Sequence, residues 1–251
     1  MKMLNKQKQQ NVIDYSEIFL EVTNVCNFNC MFCVNDVMRR KRGFMDVDLF
    51  KRLVDEFSQS EKLEKILFHV MGEPTLHPYI IEMISYASKR TQRQILITNA
   101  STLQTEEKIR YIFESGLTNL DISYYCKNEE DFKKRGVKSL TFQDYLQIVK
   151  NIVATKYKYN YGTHLRLYLF NRSFSSEDKI FEKIPRLKDM REIEEHVNYW
   201  KKFIDELRIA YDLRDVEMTN DPVKITKENL TSGVPIFVTK DFEISIKPLH
   251  F

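Results

Sequence analysis

Three of the four cysteines, Cys26, Cys30 and Cys33, fall within one short segment, CNFNCMFC, with the spacing C-x3-C-x2-C. Thiolates packed this closely suit metal more than disulfides, whose cysteines in a stapled domain are spread along the chain. Two chemistries compete for them. Three thiolates can each take one iron of a cubane cluster and leave the fourth iron open. A structural zinc ion instead asks for four protein ligands in a closed tetrahedron, with His69 or His77 as the fourth. A third reading is three packed, inert cysteines. Cys126, the remaining one, stands apart beside Tyr125.

Elements that alternate strand and helix must position these residues. Ile18–Val22, Lys65–Val70, Gln94–Thr98, a stretch within Leu117–Tyr124, and Leu165–Phe170 read as strands. Between them lie helical patterns. Asp46 caps one that carries Leu49, Phe50, Leu53, Val54 and Phe57, and Pro78 opens a second. Thr105 caps a third, which Gly116 stops, and Thr141 with Asp144 forms the S/T-x-x-D/E opening of a fourth. A long helix follows, with Ile193, Val197, Trp200, Ile204 and Leu207 on one stripe. Strands separated by helices pair in parallel through right-handed crossovers. The fold class is therefore α/β, either a doubly wound sheet or a full or partial barrel, and reactive groups collect at the carboxyl ends of the strands. A sixth strand is expected around Leu213–Met218. Lys127–Lys138 reads as a solvated charged loop. After about residue 215 the alternation stops, and Val234–Val238 and Ile244–Ile246 read as two short strands with Lys240–Asp241 in the turn.

Composition narrows the function. The 251 residues are 43% hydrophobic, enough for a substantial core, and 39 basic residues nearly cancel 36 acidic ones. A net charge of +3 offers little field for steering onto nucleic acid or a membrane, and neither is expected as a partner. No apolar run reaches transmembrane length and the first residues have no signal-peptide pattern, so the expected address is cytoplasmic.

With the elements placed, the sequence resembles the radical S-adenosylmethionine superfamily. Its signature is a C-x3-C-x2-C loop after the first strand with an aromatic residue before the last cysteine, here Phe32; Asn27 matches the common C-N start. Met71-Gly72-Glu73-Pro74 is similar to the family's G-G-E-P motif, with Met71 for the first glycine. Ile97-Thr98-Asn99-Ala100 resembles its T-N-G segment, with Ala100 for glycine. Asp121-Ile122-Ser123 ends the fourth strand where the family often has serine, and Arg135-Gly136 resembles the R-G of the loop beyond. These matches keep their order over about residues 15–170.

The resemblance implies a partial (β/α)6 TIM-like barrel, with a radical S-adenosylmethionine core over 1–215 (residues 1–15 a tail) and a short C-terminal extension over 216–251. It implies a 4Fe-4S cluster on Cys26, Cys30 and Cys33 and S-adenosylmethionine on its open iron. One electron then breaks the carbon–sulfur bond, and the resulting 5′-deoxyadenosyl radical abstracts hydrogen from a substrate. The Gly72-Glu73-Pro74 backbone would run beside the methionyl amino group, with Glu73 its partner or a structural orienter. The Phe32 backbone would lie near adenine, and Asn99 and Ser123 would contact ribose or the methionyl carboxylate. In the strand Leu165–Phe170, alternation puts His164, Arg166 and Tyr168 on one face, which in a barrel interior would let Arg166 meet substrate or the cofactor carboxylate. Tyr125 and Cys126 replace the acid and glycine of the family's S-x-D-G run; a phenol or thiol there would return a hydrogen atom to a substrate radical, unless Cys126 is simply packed.

No cysteine follows Cys126, so the auxiliary clusters of SPASM and twitch domains have no sulfur ligands, although VPIFVTKDFEI faintly resembles the hairpin that opens those domains. The short stretch before the first strand has no room for a peptide-recognition domain, which tilts the expected substrate toward a small molecule. A peptide substrate and a non-catalytic cluster scaffold are the alternatives. The expected electron donor is a low-potential protein such as flavodoxin or ferredoxin.

Overall fold

The computed structural model describes residues 15–170, 190–211, 235–238 and 242–247. Strand β1 is Glu17–Phe19, followed by the cysteine loop and helix α1, Val47–Phe57. Then come β2 (Lys65–Phe68), α2 (Ile80–Ser88), β3 (Arg93–Thr98), α3 (Glu106–Glu114) and β4 (Asn119–Ile122). A short helix α4 (Glu129–Lys133) precedes α5 (Phe142–Lys158), β5 (His164–Phe170) and α6 (Met190–Ala210). Strands β6 (Pro235–Val238) and β7 (Phe242–Lys247) complete the set. The expected caps form: the side chains of Asp46, Thr105 and Thr141 each accept from the third backbone N–H of their helix, and Asp144 answers Thr141 in a reciprocal box.

The sheet order is β1-β2-β3-β4-β5-β7-β6. Every pairing from β1 to β5 is parallel, β5 pairs in parallel with β7, and only β6 runs antiparallel, on β7. The sheet is open, and its six parallel strands form a partial barrel of α/β class. The sixth parallel strand is β7, drawn from residues beyond 215; the expected position at 213–218 lies outside the described residues.

Alternation divides the sheet's two faces. Ile66, Phe68, Leu96, Leu120, Ile122, Leu165, Leu167, Phe242 and Ile244 are buried in one continuous core with apolar residues of the helices. On the other face Leu67, Ile95 and Ile97 form a separate apolar trio. In register beside that trio stand Asn119, Asp121, His164, Arg166 and Glu243. The helix-facing side is thus apolar except for Gln94 and Thr98 of β3, whereas the inner face is apolar at β2–β3 and polar at β4, β5 and β7.

Lys127–Lys138 is not a solvated loop. It contains α4, buries Asp131, Phe132 and Arg135, and packs against α5 through Phe132–Tyr145 and Phe132–Phe142 ring contacts. Its charge pattern misleads because Asp131 and Arg135 lie inside with partners: Asp131 pairs with Lys134, and Arg135 donates to Tyr124 O and Tyr145 OH, while exposed Asn128 caps α4 by accepting from Asp131 N–H. Among the described residues, no helix is long and apolar enough to cross a membrane.

Candidate active site

The cysteine loop is pinned at its base. Thr23 pairs with Phe44 in an isolated antiparallel bridge, and the Asn24 side chain donates to Lys41 O at 2.9 Å and accepts from Gly43 N–H at 2.8 Å. Its middle is plugged by Phe28, 5% exposed, whose ring meets Phe132 and Tyr145 edge-on. Its outer strand hydrogen-bonds to the α4 segment, Asn29 N–H to Arg135 O at 3.2 Å and Met31 N–H to Lys134 O at 2.9 Å. The three thiols graduate from half-buried Cys26 and Cys30 to exposed Cys33. Phe28 N–H donates to Cys26 Sγ and Asn35 N–H to Cys33 Sγ, each at 3.4 Å. Burial pushes the Cys26 thiol up to about 11, with Glu73 and the other two cysteines adding to the rise. Burial also raises Cys30, against the pull of the Arg135 guanidinium.

The loop after β2 touches this one directly. Gly72 has φ +75°, and a Cβ there would lie 2.4 Å from Thr23 O and 2.8 Å from both Asn24 Cα and Val25 O. Only glycine allows both the left-handed backbone and the contact. Glu73 N–H then donates to Val25 O at 2.8 Å. Met71, standing where the family has its first glycine, adopts no positive φ and so carries no left-handed strain; its N–H donates to Glu21. Ala100 does keep the left-handed conformation its position demands, at φ +65° and fully buried.

Glu73 is an orienter. Its carboxylate, 1% exposed, takes four protein donors: Thr75 N–H at 3.0 Å, Thr75 Oγ1 at 2.7 Å, Thr98 Oγ1 at 2.6 Å and Asn99 N–H at 2.6 Å. Burial raises its pKa and these bonds oppose the rise. The carboxylate therefore ties the loop after β2 to the end of β3. Asn99 continues the chain of contacts: its Nδ2 donates to Asn27 Oδ1 at 3.1 Å and lies 4.0 Å from Cys26 Sγ, while Asn27 donates to Ser101 Oγ at 2.8 Å. Glu73→Gln would set an amide N–H against backbone and hydroxyl donors. It is expected to lower the urea midpoint at unchanged slope, by about 2 kcal/mol or more of stability.

Around the end of β4, Ser123 N–H donates to Thr98 O at 2.8 Å. Tyr125, at φ +42°, hydrogen-bonds to Ser123 and meets Phe32 edge-on with ring centroids 6.3 Å apart. Phe32, Ser123 and Tyr125 are thus brought together beside the cysteine loop. Burial pushes the Tyr125 phenol up to about 12. Cys126 turns the other way. It is 2% exposed in the helix-side core, donates to Tyr124 O at 2.9 Å, and burial pushes its thiol up to about 12. Pro74, expected near the cofactor, is buried in a short 3-10 turn that follows Glu73.

Arg166 lies on the inner face. Its NH1 is 3.3 Å from Asp121 Oδ2 and its NH2 donates to Glu243 Oε2 at 2.9 Å; its Nε, 2.9 Å from Glu243 Oε1, is an ion-pair neighbour without hydrogen-bond alignment. Tyr168 OH donates to Asp121 Oδ2 at 3.1 Å and His164 Nε2 is 3.2 Å from Glu243. Asp121 is 1% exposed, and its Oδ1 has no hydrogen-bond partner. Burial raises the Asp121 pKa; Glu243 is also raised by burial, but bonds from His164, Ser245 and Arg166 outweigh that and hold it near 2. Sequence reasoning found Arg166 and missed Asp121 as an inward carboxylate and Glu243 altogether; the one available signal for Glu243 was its place in the alternating FEISIK strand.

The donor set fits a cubane cluster. Three cysteine sulfurs, those of Cys26 and Cys33 accepting backbone N–H bonds, suit separate irons of one cluster, and no fourth protein ligand is needed. Among the described residues no three His, Cys, Asp or Glu side chains are placed to share a single ion. His77 is not a zinc ligand, because its ring nitrogens bind Met45 O at 2.9 Å and Tyr79 N–H at 3.1 Å.

Residues 20–184 match the sequence model of the Radical SAM superfamily. Over 161 residues the chain is 31% identical to the S-adenosyl-L-methionine-dependent 2-deoxy-scyllo-inosamine dehydrogenase of Niallia circulans, covering 63% of this chain and 59% of that protein. Over 108 residues it is 33% identical to a tungsten-containing aldehyde ferredoxin oxidoreductase cofactor-modifying protein of Pyrococcus furiosus, covering 43% of this chain and 29% of that one. The chain thus spans less than two thirds of the length of either relative. Its fold is similar to Streptococcus suis SuiB bound to S-adenosylmethionine, with a TM-score of 0.50, 15% identity, and coverage of 90% of this chain and 57% of that one.

Proposed function

The chain belongs to the radical SAM superfamily, and from that premise we propose that it is an enzyme that holds a 4Fe-4S cluster on Cys26, Cys30 and Cys33, binds S-adenosylmethionine, and acts on a small polar molecule. The observation that carries this reading is the docking of the cysteine loop onto the carboxyl ends of β2 and β3, through Gly72 against residues 23–25 and through Asn99 to Asn27. When bound, the cluster and S-adenosylmethionine supply one-electron cleavage of a carbon–sulfur bond and a 5′-deoxyadenosyl radical that takes hydrogen from the substrate.

The chain's own residues bind, orient and exclude water. Gly72, Glu73 and Pro74 present backbone to the methionyl amino group, with Glu73 fixing that backbone rather than meeting the ligand. The Phe32 backbone takes the adenine side, and Ser123 the ribose or carboxylate. Asn99 holds Asn27 and the Cys26 end of the loop in place. The Phe28–Phe132–Tyr145 plug keeps water from the loop's inner side.

Support for a small polar substrate comes from the inner face. Asp121 offers one buried oxygen without a hydrogen-bond partner, between Arg166 on one side and the apolar trio Leu67, Ile95 and Ile97 on the other. Such a site suits a compact molecule with hydroxyl or amino donors on one side and carbon on the other. The Niallia circulans relative is named for an inosamine.

The test is anaerobic reconstitution with iron and sulfide, reduction, and measurement of 5′-deoxyadenosine with polyols, amino sugars, nucleosides and peptides as candidate substrates. Formation stimulated by a small hydroxylated or aminated molecule is expected. Stimulation by peptides alone would overturn the substrate class, and a formed cluster without any cleavage would overturn the enzyme. Asp121→Asn is expected to leave iron content unchanged and to lower substrate-stimulated formation about tenfold or more, the scale of one hydrogen bond to a buried charge.

A further inference from the structure

Arg135 is one of the largest fully buried side chains, 2% exposed, and carries a permanent positive charge. A buried cation is costly unless an anion balances it. The groups that act on it most strongly are Tyr145, Cys30 and Cys126, with no carboxylate among them. Its NH1 donates to Tyr124 O at 2.8 Å and to Tyr145 OH at 3.1 Å, and its Nε–H has no hydrogen-bond partner. The guanidinium lies 4.7 Å from the Phe28 ring centroid, 5.3 Å from Tyr145 and 5.8 Å from Tyr125. Its backbone is clamped to the cysteine loop by Asn29 N–H on Arg135 O and by Gly136, whose absent Cβ makes room for Asn29 O. Neutral thiols, phenols and ring faces solvate this charge without cancelling it.

From this geometry we propose that Arg135 is the fixed counter-charge of the iron–sulfur cluster, raising the reduction potential by stabilising the reduced form through Cys30. The inference rests on the cluster assignment to Cys26, Cys30 and Cys33. A cubane in its oxidised state with three thiolates carries one net negative charge, and uptake of one electron from an external donor makes that two. A nearby cation favours the more negative state, so the same electron enters at a higher potential. In the low-dielectric aromatic plug this effect is little screened by salt. Arg135 is a positioning and tuning residue, not one that touches substrate.

The experiment is a reductive titration of the reconstituted cluster, followed by electron paramagnetic resonance, in wild type, Arg135→Gln and Arg135→Lys. Arg135→Gln is expected to shift the reduced-to-oxidised ratio at fixed potential tenfold or more toward oxidised, a fall of about 59 mV for one electron. Arg135→Lys, which keeps the charge and loses the fork, is expected to stay near wild type. Equal potentials in wild type and Arg135→Gln would overturn the proposal, as would an equal fall in both variants. If Arg135→Gln takes up no cluster, loading of Arg135→Lys supports the charge role, and failure of both assigns Arg135 a role of shape alone. A wild type that takes up no four-iron cluster would instead sink the cluster assignment itself.

Discussion

Cys30→Ala is expected to abolish both the brown iron–sulfur colour and 5′-deoxyadenosine formation, while Cys126→Ala keeps the iron. The two thiols have the same chemistry and both feel Arg135, so the contrast isolates position. Cys30 sits at the centre of the loop that Asn27, Asn29 and Met31 anchor on either side. On the proposed assignment its loss removes one of three sulfur ligands and leaves the Arg135 cation facing an alanine. Cys126 instead packs in the aromatic core and hydrogen-bonds to its own segment at Tyr124 O. Its replacement removes a buried sulfur and a weak donor, at roughly 1–2 kcal/mol of stability. Iron and sulfide content per chain checks both. Iron retained in Cys30→Ala at the wild-type ratio would remove Cys30 from the ligand set. Loss of iron from a folded Cys126→Ala protein would bring Cys126 into it.

Gly136→Ala is expected to be the most damaging substitution outside the cysteines. A Cβ there would lie 2.1 Å from Asn29 O and 2.7 Å from Asn29 C, at a backbone φ of +63°. The left-handed conformation alone costs an alanine roughly 1–2 kcal/mol. The clash adds to that, because the obstructing atoms are backbone and cannot rotate away. Together a loss of about 3 kcal/mol or more is expected, a large part of the roughly 5–15 kcal/mol of a typical domain. Asn29 lies between Cys26 and Cys30, the strain reaches both of these proposed ligands, and iron loading should fall with stability. Gly162→Ala is the matched control: nothing lies within 4 Å of its Cβ position and its φ is not left-handed. It is expected to be neutral or slightly stabilising through a less flexible unfolded chain. Urea unfolding and iron content on both variants give the comparison, and equal stability of the two would show that the Gly136–Asn29 contact yields without cost.

The sequence by itself determined the local structure and the ligand loop. Asp46, Thr105 and Thr141 cap the helices expected of them because capping is a short-range hydrogen bond, complete within four residues. The strands from β1 to β5 fall where the apolar runs lie, shortened by three residues at β1 and two at β2 at the ends where the chain leaves the ladder for the site loops. The alternation of Leu165, Leu167 and Leu169 against His164, Arg166 and Tyr168 was legible because a strand's period is fixed. The cysteine spacing is equally local, whereas the glycine requirement at Gly72 comes from its contact with residues 23–25.

Only the tertiary structure decided which polar groups meet. Asp121, Arg166 and Glu243 come from β4, β5 and β7, and they form one row because the sheet places β7 beside β5, skipping β6. Strand order depends on long-range pairing, which no local pattern encodes. Glu73 became an orienter only when Thr98 and Asn99 arrived from the next strand to occupy its oxygens. The segment 127–138 looks solvated because its charges are dense, but α4 buries Arg135 beneath three aromatic rings from separate parts of the chain. Burial of a charge depends on neighbours distant in sequence, and so the placing of the Arg135 cation beside Cys30 was visible only once the chain had folded around it.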